Sequence, residues 1–240
     1  MLIAGLGGKG AFWQPVVSQL KTSKRVLSFD HPGVGGSSLV GKPTIEGIAQ
    51  AVLQLLDEKD IACAHIVGHS TGSLVAQTLA LDYPERVESA VLSSGWAKPD
   101  QRFLDFFAYR RYVLNELGGE AYRALTELTA WPSEWYESNF AGPETRRFSG
   151  HADVDKGSIN DRIEMLLSYS RMDDLHALKA CDVLIIGAAD DYIIPFVHGK
   201  HLHSLIPHSR LVELNGGHFA PVIHTGKFVE ILNSFWETIR

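Results

Sequence analysis

No apolar run in this sequence approaches the roughly 20 residues that a membrane-spanning helix needs, and no N-terminal stretch has the charged, apolar and small-residue order of a signal peptide. Basic clusters are also missing. With a formal net charge of −6, the chain offers no surface patterned for nucleic acid or for an anionic membrane. The only two cysteines, Cys63 and Cys181, are too few for a disulfide framework and are not spaced for zinc. Each stands beside an expected core strand and reads as a buried thiol. Internal repeats, low-complexity tracts and linkers are absent too. These absences leave a soluble, cytoplasmic globular protein as the expectation. Hydrophobic residues at 45% allow a sizeable core, and 240 residues fit one large α/β domain with a small insertion.

What is present begins with Ala64 to Leu74, A-H-I-V-G-H-S-T-G-S-L. A short apolar run ends in Gly68-His69-Ser70-Thr71-Gly72, and a helical pattern starts directly behind it. This is the G-x-S-x-G arrangement, in which a strand, a very tight turn and a helix hold a serine hydroxyl clear of its neighbours. A Cβ at 68 or 72 would keep strand and helix too far apart for the turn. Ser70 is the expected nucleophile. The N–H of Thr71 opens the helix, lacks an intrahelical partner and points at any oxyanion formed over Ser70.

The rest of the chain reads in order as alternating strands and helices. Leu2-Ile3-Ala4 runs into the glycine loop Gly5-Leu6-Gly7-Gly8-Lys9-Gly10. That loop fits neither a phosphate-binding loop nor a dinucleotide fingerprint, so its expected use is a second oxyanion donor, the N–H of Leu6. Arg25 to Phe29 reads as a strand and is followed by the irregular loop Asp30-His31-Pro32-Gly33-Val34-Gly35-Gly36-Ser37-Ser38. Thr44 is an expected N-cap for an amphipathic helix to about Lys59. The elbow helix stops before Tyr83-Pro84, and Val87 to Ser93 is another buried strand. From Trp96 to Ala180 only helical stretches follow: Phe103 to Leu117, Ala121 to Ala130, Pro132 to Asn139 and Ile159 to Ser170. A helical insertion between strands of such a sheet reads as a cap over the carboxyl ends of the strands. The expected division is a core of 1–95 and 181–240 with a helical cap of 96–180. Trp96, just past a strand end, is the first pocket candidate, followed by Phe107, Trp131 and Trp135. The pair Arg110-Arg111 offers guanidinium groups suited to a carboxylate, although a solvated helix face is the expected role.

A serine needs a general base, and that base needs an orienting acid. Asp182 to Gly187 restores the strand pattern and leads into Asp190-Asp191. Arg210 to Leu214 is the next strand and leads into Gly216-Gly217-His218. Both late loops leave carboxyl ends of strands, the sheet edge that also carries the elbow. His218 is the expected base. Asp190 and Asp191 compete for the acid role, while His69 and His224 are weaker rivals of His218. His198, His201 and His203 do not share one helix face and have no acid among them, so no metal is expected.

Together, G-L-G-G, D-H-P-G-V-G-G-S, G-H-S-T-G, G-A-A-D-D-Y-I-I-P and G-G-H resemble the α/β-hydrolase fold superfamily over the whole chain. The resemblance implies a mostly parallel sheet in the order 1-2-4-3-5-6-7-8, flanked by helices, and no cofactor. The family acid lies four residues before a proline, which favours Asp191. Two departures stand out. Ala4 replaces the usual histidine before the oxyanion-loop glycine, and the chain starts at the strand usually numbered third. The stretches G-L-G-G-K-G-A-F-W, L-D-Y-P-E-R-V, S-G-W-A-K-P, Y-R-R-Y-V-L and A-W-P-S-E-W-Y are further similar to the aminoacrylate hydrolases of the Rut pyrimidine-degradation pathway, with enol-lactone hydrolases similar in outline.

The expected activity is cofactor-free serine hydrolysis of a small ester, enol-lactone, carbamate or amide. Ser70 argues against dehalogenase and epoxide-hydrolase chemistry, which needs aspartate there. Carbon–carbon bond hydrolases and perhydrolases share the same three residues and stay open. So does a small-molecule receptor or stress regulator with little turnover, although Gly72 favours an enzyme. A homodimer is left open.

Overall fold

The computed structural model describes residues 1–20, 24–140 and 155–239. Among the described residues, five parallel strands form one sheet in chain order: β1 (Leu2–Ile3), β2 (Ala64–His69), β3 (Val87–Ser93), β4 (Asp182–Ala188) and β5 (Arg210–Leu214). Strands in a parallel sheet are covered on both faces and need apolar residues of both parities. Here Ile3, Ile66, Leu92 and Ile185 face one core, and Leu2, Val67, Val91 and Ile186 face the other. Helix α1 (Gln14–Leu20) and the C-terminal helix cover the second face through Val16, Leu20, Phe228 and Leu232. The first face is covered by α2 (Ile45–Glu58), α3 (Thr71–Asp82) and, beyond β4, the helix Val197–Leu205. Thr44 caps α2 as its sequence predicts, its Oγ1 accepting the Gly47 N–H at 2.9 Å.

Two expectations fail for physical reasons. Arg25 to Phe29 makes a single parallel rung, Leu2 opposite Ser28, with Leu2 N donating to Leu27 O at 2.8 Å. Its neighbour β1 is only two residues long and has no further rungs to offer. Cys63 is exposed and Cys181 half-buried, because each precedes its strand on a loop at the amino edge of the sheet.

Between β3 and β4 the described chain is helical: α4 (Gln101–Tyr112), α5 (Gly119–Ala130), α6 (Ser133–Phe140) and α7 (Lys156–Ser168). The predicted helix over Phe103 to Leu117 widens after Tyr112 into a π-type turn, Val113–Leu117, closed by Gly118 N donating to Val113 O at 3.0 Å. Residues 141–154 of the expected insertion lie outside the described residues. After β4 come α8 (Val197–Leu205), then α9 (Ala220–Ile223) and α10 (Thr225–Thr238). No helix among the described residues is long and apolar enough to cross a membrane.

Candidate active site

The turn between β2 and α3 places Ser70 at φ 53°, ψ −120°, a conformation that non-glycine residues rarely adopt. Its own N–H stays paired, donating to Ser93 O at 2.8 Å. The two elbow glycines are needed for different contacts. A Cβ on Gly68 would run into the Gly72 backbone, with Ser73 N at 2.7 Å, whereas one on Gly72 would strike the carbonyls of Ile3 and Ala4 in and beside β1. The first glycine thus lets strand and helix meet, and the second lets the helix pack against the neighbouring strand.

The glycine loop after β1 folds back as a tight turn, Gly8 N donating to Gly5 O at 2.9 Å. A trans peptide holds its C=O and N–H opposed, so the Leu6 N–H points away from that closed turn. Gly5 lies beside the elbow: a Cβ there would sit 3.2 Å from Ser70 Cβ and 3.6 Å from Ser70 Oγ. Among the described residues no group accepts a hydrogen bond from the Leu6 N–H or from the Thr71 N–H, the first of α3. Both donors are free for a ligand.

The two adjacent aspartates have different tasks. Asp191 Oδ2 lies 2.8 Å from His218 Nδ1, while its Oδ1 accepts the N–H groups of Ile193 and Ile194, both at 2.9 Å. Its side chain is fully enclosed. Asp190 turns instead to the loop before the histidine, where its Oδ1 accepts from Gly216 N and Gly217 N, both at 3.0 Å. One aspartate faces the imidazole and the other shapes the loop that carries it. A carboxylate accepts only, so the Asp191 contact fixes the proton on Nδ1 and leaves His218 Nε2 as an acceptor. His69 is buried and stacks on Phe12, its Nδ1 3.1 Å from Ser93 Oγ and its ring centroid 4.9 Å from that of His218. Burial and then the neighbouring His218 hold its pKa well below the ordinary histidine value. His224 is exposed.

Ser70 and His218 line a cavity of about 330 Å³, together with Leu6 on the sheet side and Phe107, Arg110 and Tyr122 on the insertion side. That volume suits a small organic molecule. The expected pocket aromatics separate into two groups. Phe107 reaches the cavity wall. Trp96 does not, being fully buried with its ring 4.8 Å from Phe103, so it belongs to the core beneath α4. Trp131 and Trp135 stack on each other at 3.8 Å, and Trp131 meets Phe219 edge-on at 4.6 Å, so they back the cavity wall through Phe219. Among the described residues no three His, Cys, Asp or Glu side chains are grouped to hold a metal ion.

Two arginines at this site escape a reading of the sequence as blocks of charge. Arg110, expected on a solvated face, is 4% exposed. Arg162 on α7 donates from Nε to Leu6 O at 2.7 Å and from Nη2 to His31 Nδ1 at 2.7 Å, so it holds the oxyanion-loop candidate from the insertion side. Burial lowers its pKa only to about 10, and it remains a cation at neutral pH. The readable signal in both cases is helical spacing. Arg110 falls in step with Phe103, Phe107 and Leu114, and Arg162 with Leu166, each charge lying on an apolar stripe.

Arginine has no acceptor, so His31 Nδ1 must be unprotonated. Burial, reinforced by the Arg162 charge, lowers the His31 pKa to about 3. Above about pH 6.5 the ring is neutral in both folded and unfolded chains. As the pH falls from there towards 3, only the unfolded chain takes up the proton and stability is lost. The loss is about 1.4 kcal/mol per pH unit, or about 2 kcal/mol at pH 5. Urea unfolding at pH 7.5 and pH 5 is therefore expected to show a steeper decline for the wild type than for His31→Gln, by about that amount. Equal slopes would mean that His31 is not held neutral.

The profile of the family described as alpha/beta hydrolase fold matches residues 1–225. The chain is 32% identical over 224 residues to "Putative carbamate hydrolase RutD" of Caulobacter sp. strain K31, covering 91% of this chain and 82% of that protein. The same-named protein of Pseudomonas syringae pv. syringae B728a is 32% identical over 244 residues, covering 99% and 93%. Among solved structures, the enol-lactonase from Burkholderia xenovorans LB400 superimposes with a TM-score of 0.85 at 23% identity, over 98% of this chain and 90% of that one. With its five-stranded parallel sheet, strand–serine–helix turn and full-length relatives, the chain belongs to the α/β-hydrolase fold family and is a hydrolase of that fold.

Proposed function

We propose that the protein is a serine hydrolase of a small molecule, with Ser70 as nucleophile, His218 as general base and then acid, and Asp191 as the acid that orients the ring. The observation that carries this reading is the enclosed Asp191–His218 pair at 2.8 Å, whose imidazole lines the same cavity as a serine held at φ 53°. In the proposed reaction His218 Nε2 takes the Ser70 proton as Oγ attacks the substrate carbonyl carbon. The resulting oxyanion is held by the Leu6 and Thr71 N–H groups, each such donor being worth about 10²–10³ in rate. His218 then passes its proton to the leaving group as that bond breaks. Water, deprotonated by the same ring, attacks the acyl-serine, and the proton returns to Oγ as the acid product leaves. Asp191 stabilises the imidazolium formed in each half-reaction. An ester, enol-lactone, carbamate or amide satisfies this scheme, and the RutD-type relatives bring the carbamate into it. The reading divides the chain into a hydrolase core, 1–95 and 181–240, and a cap, 96–180, that roofs the cavity with Phe107 and Tyr122.

The test is covalent. A fluorophosphonate added to the intact protein is expected to give one adduct by intact mass, mapped to Ser70 by peptide sequencing, with hydrolysis of short-chain p-nitrophenyl esters lost in proportion. Absence of an adduct, or an adduct on another serine, overturns the assignment.

A further inference from the structure

The glycine loop that presents the Leu6 N–H is held by two bonds of different origin. One is internal: Gly8 N donates to Gly5 O at 2.9 Å and fixes the peptide plane on the amino side of Leu6. The other comes from far along the chain. Arg162 Nε, on α7 of the insertion, donates to Leu6 O at 2.7 Å and fixes the peptide plane on the carboxyl side. Among the described residues no backbone N–H reaches that carbonyl. Gly7 follows directly, and a Cβ there would meet nothing within 4 Å, so packing does not hold the loop at that point. The arginine is itself fixed. It is 3% exposed, its Nη2 donates to His31 Nδ1 at 2.7 Å, and His31 N donates back to Gly8 O at 2.8 Å. Gly8, at φ 66°, leaves the guanidinium its place, since a Cβ there would stand 2.5 Å from Nη2. All these acceptors are neutral. The acidic residues beside it on α7, Asp161 and Glu164, turn to Lys42 instead, at 3.3 and 3.1 Å. A buried cation without a counter-charge is a poor source of stability, but its hydrogen bonds are strong and its fork is rigid. That combination suits a group whose task is to keep an orientation.

We propose that Arg162 is a positioning residue for the oxyanion hole: by holding Leu6 O from the insertion, it keeps the Leu6 N–H aimed at the oxygen that becomes negative over Ser70. This rests on the serine-hydrolase reading and deepens it. Arg162 is not part of the cavity wall, so it acts through Leu6 and not on the substrate. Its consequence is that the rate depends on how α7 is seated against the core. The oxyanion exists only in the tetrahedral states, so a misaimed donor costs rate and leaves ground-state binding almost unchanged.

Two measurements test this. In the first, Arg162→Met is expected to lower kcat for p-nitrophenyl acetate about 10- to 100-fold while KM changes less than about threefold. Arg162→Lys keeps a donor for Leu6 O but lacks the second arm for His31, and its kcat is expected to fall only about three- to tenfold. The second compares two inhibitors. The Ki of 1,1,1-trifluoropentan-2-one, which adds to the serine as a tetrahedral oxyanion, should rise in each variant by the factor that kcat/KM loses. The Ki of pentan-2-one, a ground-state ketone, should stay where it is. A residue that merely ties α7 to the core would lower the urea midpoint and leave both kcat of the folded enzyme and the ratio of the two Ki values unmoved. A folded Arg162→Met with wild-type kcat, or with an unchanged Ki for the trifluoromethyl ketone, overturns the proposal. Should Arg162→Met fail to fold, Arg162→Lys carries the test, and wild-type values of kcat and of that Ki overturn it in the same way. Failure of the underlying reading is seen separately, as absence of the phosphonate adduct on Ser70 in the wild type.

Discussion

Ser70→Ala is expected to lower kcat/KM for a short-chain p-nitrophenyl ester by about 10⁴-fold or more, and to abolish phosphonate labelling, while the protein stays folded. The size follows from what remains. Under the proposed mechanism no acyl-serine would form without Oγ, and His218 would have only an unpositioned water to act on, so the Leu6 and Thr71 amides would be the catalytic device that survives. The fold is expected to survive because the elbow is held by its backbone and its glycines. Ser70 N donates to Ser93 O and Ser73 N to Ser70 O, both at 2.8 Å, and neither bond involves the hydroxyl. Alanine has the same Cβ as serine and the same cost of standing at φ 53°. Ser70→Gly relieves that cost and is expected to be the more stable of the two inactive variants, by about 1–3 kcal/mol in urea unfolding. Activity above a few per cent in a folded Ser70→Ala protein would mean that another group attacks the substrate. Equal stability of the two variants would mean that the elbow holds no strain.

The parts of this structure that are legible in the sequence are those with short-range causes. The alternation of Leu2 with Ile3 and Ile66 with Val67, the Thr44 cap and the stop before Pro84 each depend on neighbours a few residues away. So does the elbow, whose glycines announce a turn that nothing larger fits. What stays hidden depends on partners far along the chain. The segment Arg25 to Phe29 has strand composition, but the length of β1 beside it decides how much ladder forms. Trp96 follows a strand end as a pocket residue should, yet Phe103 and the carbonyl bond from Gln77 Nε2 at 3.1 Å draw it into the core. Arg162 meets Leu6 and His31 across more than a hundred residues, and no local pattern shows those acceptors.

The adjacent aspartates give the sharpest comparison. Asp191→Asn is expected to lower kcat by about 10⁴-fold, with little change in stability. Its Oδ1 still accepts the N–H groups of Ile193 and Ile194, so the side chain keeps its place. The amide –NH₂ that then faces His218 donates where a carboxylate accepted, which moves the ring proton from Nδ1 to Nε2. The ring then has no lone pair for the Ser70 proton, and no negative charge offsets the imidazolium. Asp190→Asn, one residue away, keeps an oxygen for Gly216 N and Gly217 N and is expected to change kcat less than about tenfold. Removing that oxygen in Asp190→Ala leaves two amides unpaired in the loop that presents His218. The expected consequence is a stability loss of about 1–3 kcal/mol, together with a rate loss smaller than that of Asp191→Asn. Parallel measurement of kcat and urea midpoint across the three variants separates the two tasks. One carboxylate governs the protonation of the ring and shows in rate, while the other governs the backbone that carries it and shows in stability. If Asp190→Asn proved the slower enzyme, the acid would have to be reassigned and the 2.8 Å contact of Asp191 with His218 would be a bystander to catalysis.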